Sequence, residues 1–468
     1  MEARQMNRIA GRAGICLLLV VALLSGLVFF LAEYAFEAGD WVIFPGSPHV
    51  YNGGNIGCGT ITDREGVLLL DLSDQRSYAE DEAVRRATVH WLGDRKGNID
   101  APALSTYASE LAGFDLLNGI YSYGNTGGEA ELTLSAAVQS VALEAMGNYK
   151  GTIGIYNYKT GELLCAVTTP NYDPDNAPDI SSNEAGAYEG LYLNRFTQSG
   201  YIPGSIFKIV TLAAALESIP DIQQQRFVCK GSYQIGKDTI TCDGTHWEQD
   251  LKMAFRNSCN CAFAQIAQQL GTKTLQRYVE MFGVTKPVSF DGITTASGNF
   301  DLSEASEVSL AWSSIGQYTD LVNPCSFMTF VGAVAAGGKG VSPYLVQNVK
   351  SDGITSYSAD SRTGERIMSA ATAELVRDFM GFNVADKYGS ENFPGLTVCA
   401  KTGTAEVGGN KKPNAMLAGF VADEQYPLAF IVAVEDGGYG REICVPILSK
   451  VLTACKTILD GNSLSEGE

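Results

Sequence analysis

The chain has 468 residues, 45% of them hydrophobic and 18% charged, enough for more than one domain around a sizeable core. Its 52 acidic against 33 basic side chains leave a formal charge of −19. That balance excludes a nucleic-acid surface as the organising feature, and no nucleic-acid partner is expected.

Arg4, Arg8 and Arg12 precede an uncharged run from Ala13 to Ala32, "AGICLLLVVALLSGLVFFLA". Its twenty residues match the roughly 20 needed to cross ~30 Å of hydrocarbon. The apolar core is long for a signal peptide and no convincing A-x-A follows, so an uncleaved anchor is expected at 13–32. The arginines mark 1–12 as a cytoplasmic tail and everything after the anchor as extracytoplasmic.

Residues 58–72, "CGTITDREGVLLLDL", read as two strands about an Asp-Arg-Glu-Gly turn. Helices are expected over 78–93 and again over 109–122. Residues 33–129 are therefore taken as a small accessory domain. A larger unit, 130–460, opens with a helix at 134–146 and a hairpin at 151–170. The helix "FKIVTLAAALESI" follows "YIPGS". Residues 251–271 and 274–282 are helical, as are 303–316, 324–338, 372–382 and 444–459. Strands return at 396–408, 415–423 and 427–436. Helices thus lie between an early strand pair and a late trio, which predicts an α+β fold: one mostly antiparallel sheet covered by helices. Residues 461–468 read as an acidic tail.

Eleven cysteines are present. Cys229 and Cys242 flank two short strand-like runs around Gly-Lys-Asp and form the best local candidate pair, though the sequence does not choose among pairings. Cys165, Cys325, Cys399, Cys444 and Cys455 read as small hydrophobes in apolar runs. There is no CxxC, and Cys259-Asn260-Cys261 has the wrong spacing for a zinc finger. No metal or cofactor is called for.

Ser205 and Lys208 are the polar exceptions at the head of a helix that is apolar nearly all round, and positions i and i+3 share a face. A lysine drawn into a core loses its proton or disrupts its surroundings. Two further polar signals stand in apolar settings. Ser258 and Asn260 separate two helical runs, and Lys401-Thr402-Gly403-Thr404 lies within a strand. Each is weak alone. In the order S-x-x-K, S-x-N, K-T-G, 53 and 143 residues apart, they form the signature of penicillin-binding proteins and class A β-lactamases.

On these motifs the chain from Asn55 to Leu459 resembles a class B penicillin-binding protein. "GTITDREG", "LTLSAAVQSVALEAM", "NRFTQSGYIPGSIFKIVT", "SIGQ" and "GAVAAGG" agree with that family, whereas Cys58, Ser135 and "NAMLAGF" depart from its pattern. The resemblance implies the β-lactamase-like transpeptidase fold on an N-terminal pedestal. It also implies a peptidoglycan D,D-transpeptidase that cross-links stem peptides through a serine acyl-enzyme and is acylated by β-lactams.

A serine nucleophile needs a base, and His49, His90 and His246 form no Ser/His/Asp pattern. Lysine serves if burial and a second cation lower its pKa, which makes Lys208 the base and Lys401 the neighbour. Ser258, held by Lys401, would relay the proton. Asn260 would bind Lys208 and a substrate amide. The backbone N–H groups of Ser205 and Thr404 would form the oxyanion hole. The resemblance implies that Thr402 and Thr404, with Gly403 between them, hold the terminal carboxylate of D-Ala-D-Ala.

Two rival readings keep other outcomes open: a D,D-carboxypeptidase with the same site, or a non-catalytic penicillin-binding scaffold or sensor. A β-lactamase fits poorly, since an accessory domain is present and no deacylating glutamate loop is evident. With no segment resembling a glycosyltransferase, the family implies a partner, a multi-pass glycan polymerase of SEDS type.

Overall fold

A computed structural model describes residues 2–464, apart from positions 45, 46, 48, 49, 53, 54, 74, 75, 115, 118, 121–126, 183–185, 352 and 410. The chain opens with one continuous helix, Glu2–Val42, that contains the apolar run 13–32 and extends beyond it at both ends. Among the described residues it is the one helix long and apolar enough to cross a membrane. Tyr34 Oη donates to the Leu116 carbonyl at 2.9 Å, which ties its C-terminal end to the body.

The central sheet has five strands in the order Val398–Ala405, Asn414–Val421, Leu428–Glu435, Lys150–Asn157, Leu163–Thr169, every pair antiparallel. It is built from both ends of the segment, as the strand pattern predicts. Successive side chains alternate between two cores. Met416, Ala418 and Phe420 pack on one face, and Ala415, Leu417 and Val421 on the other. Both faces are covered, so the strands read as unbroken apolar runs rather than as alternating ones. The helices Ala136–Met146 and Gly440–Leu459 lie over one face, and Pro324–Ala335 lies over the other.

A second sheet has six strands in the order Ile354–Ser358, Val346–Ser351, Glu129–Leu132, Thr60–Thr62, Leu68–Asp71, Ser77–Tyr78. Chain position does not sort these strands, because two from beyond residue 340 complete a sheet begun before residue 80. The Asp63 carboxylate fastens this sheet to the larger unit. It accepts from the N–H groups of Glu65 at 2.9 Å, Val67 at 2.7 Å and Ala136 at 2.8 Å. One buried side chain therefore closes the Asp-Arg-Glu-Gly turn and satisfies an orphan donor at the start of the helix Ala136–Met146. Ser135 caps the same helix through the N–H of Val138.

Three expectations are corrected. The helix expected over 109–122 ends at Leu111, because Gly113 takes a left-handed φ of +68° that terminates it. Cys229 and Cys242 are brought close, since the hairpin Ser232–Ile235/Asp238–Thr241 returns the chain, but both remain free thiols. The helical run expected over 251–271 is broken by the Ser258 turn into Leu251–Arg256 and Asn260–Phe282, the second of which also takes in the helix expected over 274–282.

Phe430 is fully buried on a middle strand of the five-stranded sheet. Phe430→Ala is expected to cost about 3–5 kcal/mol, read as a lowered midpoint in urea unfolding followed by circular dichroism.

Candidate active site

Pro203 leads into a tight turn, Gly204–Phe207, that runs straight into the helix Lys208–Ser218. Gly204 has φ +53°, and a Cβ there would lie 2.9 Å from the Thr404 carbonyl oxygen. A Cβ on Gly403 would lie 2.9 Å from the Pro203 carbonyl oxygen. The turn and the edge strand Val398–Ala405 therefore meet backbone to backbone only because both positions are glycine. That contact brings the Ser205 turn against the Lys401 strand.

Strand alternation sends Lys401 and Gly403 towards the helices, and leaves Thr402 and Thr404 on the cleft side. Ser258 sits in the turn between the helices Leu251–Arg256 and Asn260–Phe282, with a left-handed φ of +54°. For a residue with a Cβ this conformation is strained by about 1–2 kcal/mol, and surrounding contacts must hold it.

Lys208 Nζ lies 2.9 Å from Ser205 Oγ, 2.8 Å from the Ser258 carbonyl, 2.7 Å from Asn260 Oδ1 and 3.1 Å from Ser258 Oγ. Lys401 Nζ lies 3.0 Å from the same Ser258 Oγ and 2.8 Å from the Thr402 carbonyl. The Asn260 amide donates to the Thr241 carbonyl at 2.9 Å, which turns its oxygen towards Lys208. Part of the amide's donor capacity, expected to serve a substrate, is thus engaged by the protein. Two of the partners of Lys208 are carbonyl oxygens, which only accept. A deprotonated amine has two N–H bonds to meet them and one lone pair, which is left for the Ser205 hydroxyl.

Both amines are buried, Lys208 with 0% and Lys401 with 1% exposure. The Phe263 ring stands 5.7 Å from Lys208 Nζ and the Phe255 ring 5.9 Å from Lys401 Nζ, so each is walled by aromatic carbon. Burial pushes the Lys208 amine down to about 8. Lys387 adds to the shift, while Cys242, Cys259 and Asp243 oppose it. Lys401 is held well below the usual lysine range, first by burial and second by the Lys208 charge. Dehydration, more than the second amine, is therefore what lowers Lys208.

Above the amines opens a cleft of about 860 Å³ lined by Ser205, Ser258, Asn260, Thr402 and Thr404. The five residues Ser205, Lys208, Ser258, Asn260 and Lys401 converge in one hydrogen-bonded set. Sequence reasoning missed Tyr388, whose buried hydroxyl accepts from the Thr402 N–H and the Thr402 hydroxyl, both at 3.1 Å. It also missed Lys387, Glu406 and Arg441 on the cleft wall, which no local pattern marks. His90 is buried, with Nε2 2.9 Å from the Leu191 carbonyl, and burial holds its pKa at about 4. His246 faces Cys242 rather than the serine, and His49 lies outside the described residues.

A family model for the penicillin binding protein transpeptidase domain matches residues 151–453, a span that contains all three motifs. The chain belongs to the penicillin-binding protein transpeptidase family. It is similar to the peptidoglycan D,D-transpeptidase PbpA of Mycolicibacterium smegmatis, at 30% identity over 340 residues, 67% of this chain and 68% of that protein. It is 26% identical over 414 residues to stage V sporulation protein D of Bacillus subtilis, covering 83% of this chain and 60% of that protein. The solved D,D-transpeptidase domain of a peptidoglycan glycosyltransferase from Eggerthella lenta superposes with a TM-score of 0.74 at 26% identity, covering 86% of this chain and 98% of that one. The expected α+β penicillin-binding fold is therefore the observed one.

Gly403→Val puts carbon against the Pro203 carbonyl and Ile206, and displaces the serine turn from the strand. A displacement near 1 Å is expected to slow penicillin acylation about 100-fold with little change in far-UV circular dichroism. Stopped-flow with a fluorescent penicillin reads the rate.

Proposed function

We propose that this chain is a membrane-anchored peptidoglycan D,D-transpeptidase in which Ser205 is the nucleophile and Lys208 its base. The observation that carries this reading is the Lys208 amine, buried and bonded to two acceptor-only carbonyls, with its remaining direction aimed at Ser205 Oγ 2.9 Å away. Neutral Lys208 takes the Ser205 proton as Oγ attacks the carbonyl of the penultimate D-Ala of a stem peptide. The oxyanion is received by the N–H groups of Ser205 and Thr404, and losing one such donor costs about 3 kcal/mol of barrier. The proton passes through Ser258, which bridges the two amines, to the departing nitrogen of the terminal D-Ala. The amine of a second stem then attacks the acyl-enzyme and returns its proton along the same path. Thr402 and Thr404 hold the substrate's terminal carboxylate beside Lys401. A β-lactam enters as an analogue of the donor and stays attached to Ser205.

The helix Glu2–Val42 is read as a single-pass anchor with 1–12 cytoplasmic and the catalytic unit outside the membrane, where the polymer lies. Residues 33–129 serve as pedestal and 130–460 as transpeptidase, with the strands Val346–Ser351 and Ile354–Ser358 lent back to the pedestal sheet. A multi-pass glycan polymerase would supply strands to cross-link.

Ser205→Ala is expected to abolish labelling by a fluorescent penicillin while the wild type labels; an unlabelled wild type overturns the enzymatic reading. Donor and acceptor stem peptides followed by mass spectrometry are expected to give cross-linked product. Hydrolysis alone would make the enzyme a carboxypeptidase.

The pH dependence has a fixed sign. Because the base acts when neutral, acylation is expected to rise about tenfold per pH unit below about 8 and to level above it. A rate independent of pH between 6 and 9 would exclude Lys208 as the base.

A further inference from the structure

Beside the catalytic turn lies a side-chain cluster that the reaction does not use. The ligand-type atoms of Cys229, Cys242, His246 and Cys259 all fall within 4.8 Å of one another. Cys242 Sγ is 3.9 Å from Cys259 Sγ and 3.6 Å from His246 Nδ1. Bonds of about 2.3 Å to sulfur and about 2.0–2.1 Å to nitrogen, set tetrahedrally, give edges of about 3.8 Å and about 3.5 Å. A disulfide would need sulfurs about 2.05 Å apart, and each of these thiols is free.

We propose that Cys229, Cys242, His246 and Cys259 form a tetrahedral zinc site that holds the Ser258–Asn260 turn in its catalytic conformation. Three thiolates and one imidazole are a soft donor set, suited to zinc rather than to magnesium or calcium. Four protein ligands close the coordination sphere, which makes the ion structural and not a Lewis acid for the substrate. Zinc loading displaces the three thiol protons to solvent. The spacing C-x12-C-x3-H-x12-C is readable in the chain once the fold is known.

The elements meet there for local reasons. Cys229 ends the strand Phe227–Cys229, which pairs with Trp247–Gln249, so Cys229 and His246 come to one end of that ribbon. The hairpin Ser232–Ile235/Asp238–Thr241 returns the chain, and the Cys242 N–H donates to the Gly231 carbonyl at 3.0 Å. Cys259 is the N-cap of the helix Asn260–Phe282, its sulfur accepting from the Ala262 N–H at 3.4 Å. It stands between Ser258, whose φ is +54°, and Asn260, whose oxygen meets Lys208. A metal bonded to Cys259 from one side and to a strand and a hairpin from the other supplies the restraint that a left-handed serine needs. These residues are positioning residues.

The test uses the full chain, purified in detergent from zinc-supplemented medium under anaerobic conditions. Elemental analysis is expected to find about one zinc per chain. Replacement by Co²⁺ should give the intense visible bands of a tetrahedral thiolate site. His246→Ala, on a partly exposed side chain, is expected to lower zinc affinity and to slow penicillin acylation about 10–100-fold. Chelation of the wild type should slow acylation similarly, and added zinc should restore it. Protein without bound zinc after reconstitution, Co²⁺ spectra lacking thiolate bands, or a disulfide among Cys229, Cys242 and Cys259 in anaerobic peptide maps would overturn the site. Acylation that does not change when zinc is stripped would overturn its positioning role. The acylation arm rests on the proposed transpeptidase reading. The metal and spectral arms do not, so the two fail separately.

Discussion

The catalytic arrangement depends on hiding two amines from water. Lys208 and Lys401 share one hydroxyl, Ser258 Oγ, at 3.1 and 3.0 Å, and both are buried. Charging either one without solvent is costly, and charging both a few ångströms apart is costlier still. The surrounding carbonyls of Ser258, Asn260 and Thr402 recover part of that cost by accepting N–H bonds. What remains is two hydroxyls and two amines linked in one hydrogen-bonded set without histidine.

The rest of the molecule can be understood as what keeps that group dry and in register. The five-stranded sheet carries Lys401 on its edge strand and packs both faces with apolar side chains, so the edge cannot shift without disturbing two cores. Gly204 and Gly403 remove the carbon that would otherwise separate the serine turn from that strand. Phe255 and Phe263 flank the S-x-N turn in sequence and wall the amines in space. Packing and chemistry therefore use the same residues. The strained Ser258 backbone is a further cost concentrated at the site, offset by contacts from three separate elements and, in the zinc proposal, by a metal.

The six-stranded sheet is joined to the rest of the molecule through strand exchange rather than a hinge. Strands from before residue 80 and beyond residue 340 complete that sheet, and Asp63 links its Asp-Arg-Glu-Gly turn to the helix Ala136–Met146. The Trp91 indole donates to the Ala166 carbonyl on an outer strand of the catalytic sheet at 2.7 Å, and Arg85 pairs with Asp173 at 2.8 Å. Several buried or half-buried polar bonds across one boundary couple the two units mechanically.

Local patterns were enough to place the periodic elements and to name the five residues that converge at the cleft. Ser205-x-x-Lys208 shares a helical face because of the helix repeat, and an apolar strand stays legible because burial demands unbroken hydrophobicity. The helix over-extended across 109–122 shows where that reasoning weakens, since a single left-handed Gly113 outweighs apolar spacing. What lies beside what across long separations was set by packing alone. Tyr388 under Thr402, Lys387 and Arg441 on the cleft wall, and the joining of Cys229, Cys242, His246 and Cys259 carry no local signature. Their meaning comes from proximity across chain separations that only packing sets. Propensity and periodicity act over a few residues, whereas the lowered pKa of Lys208 arises from exclusion of water by segments far apart in the chain.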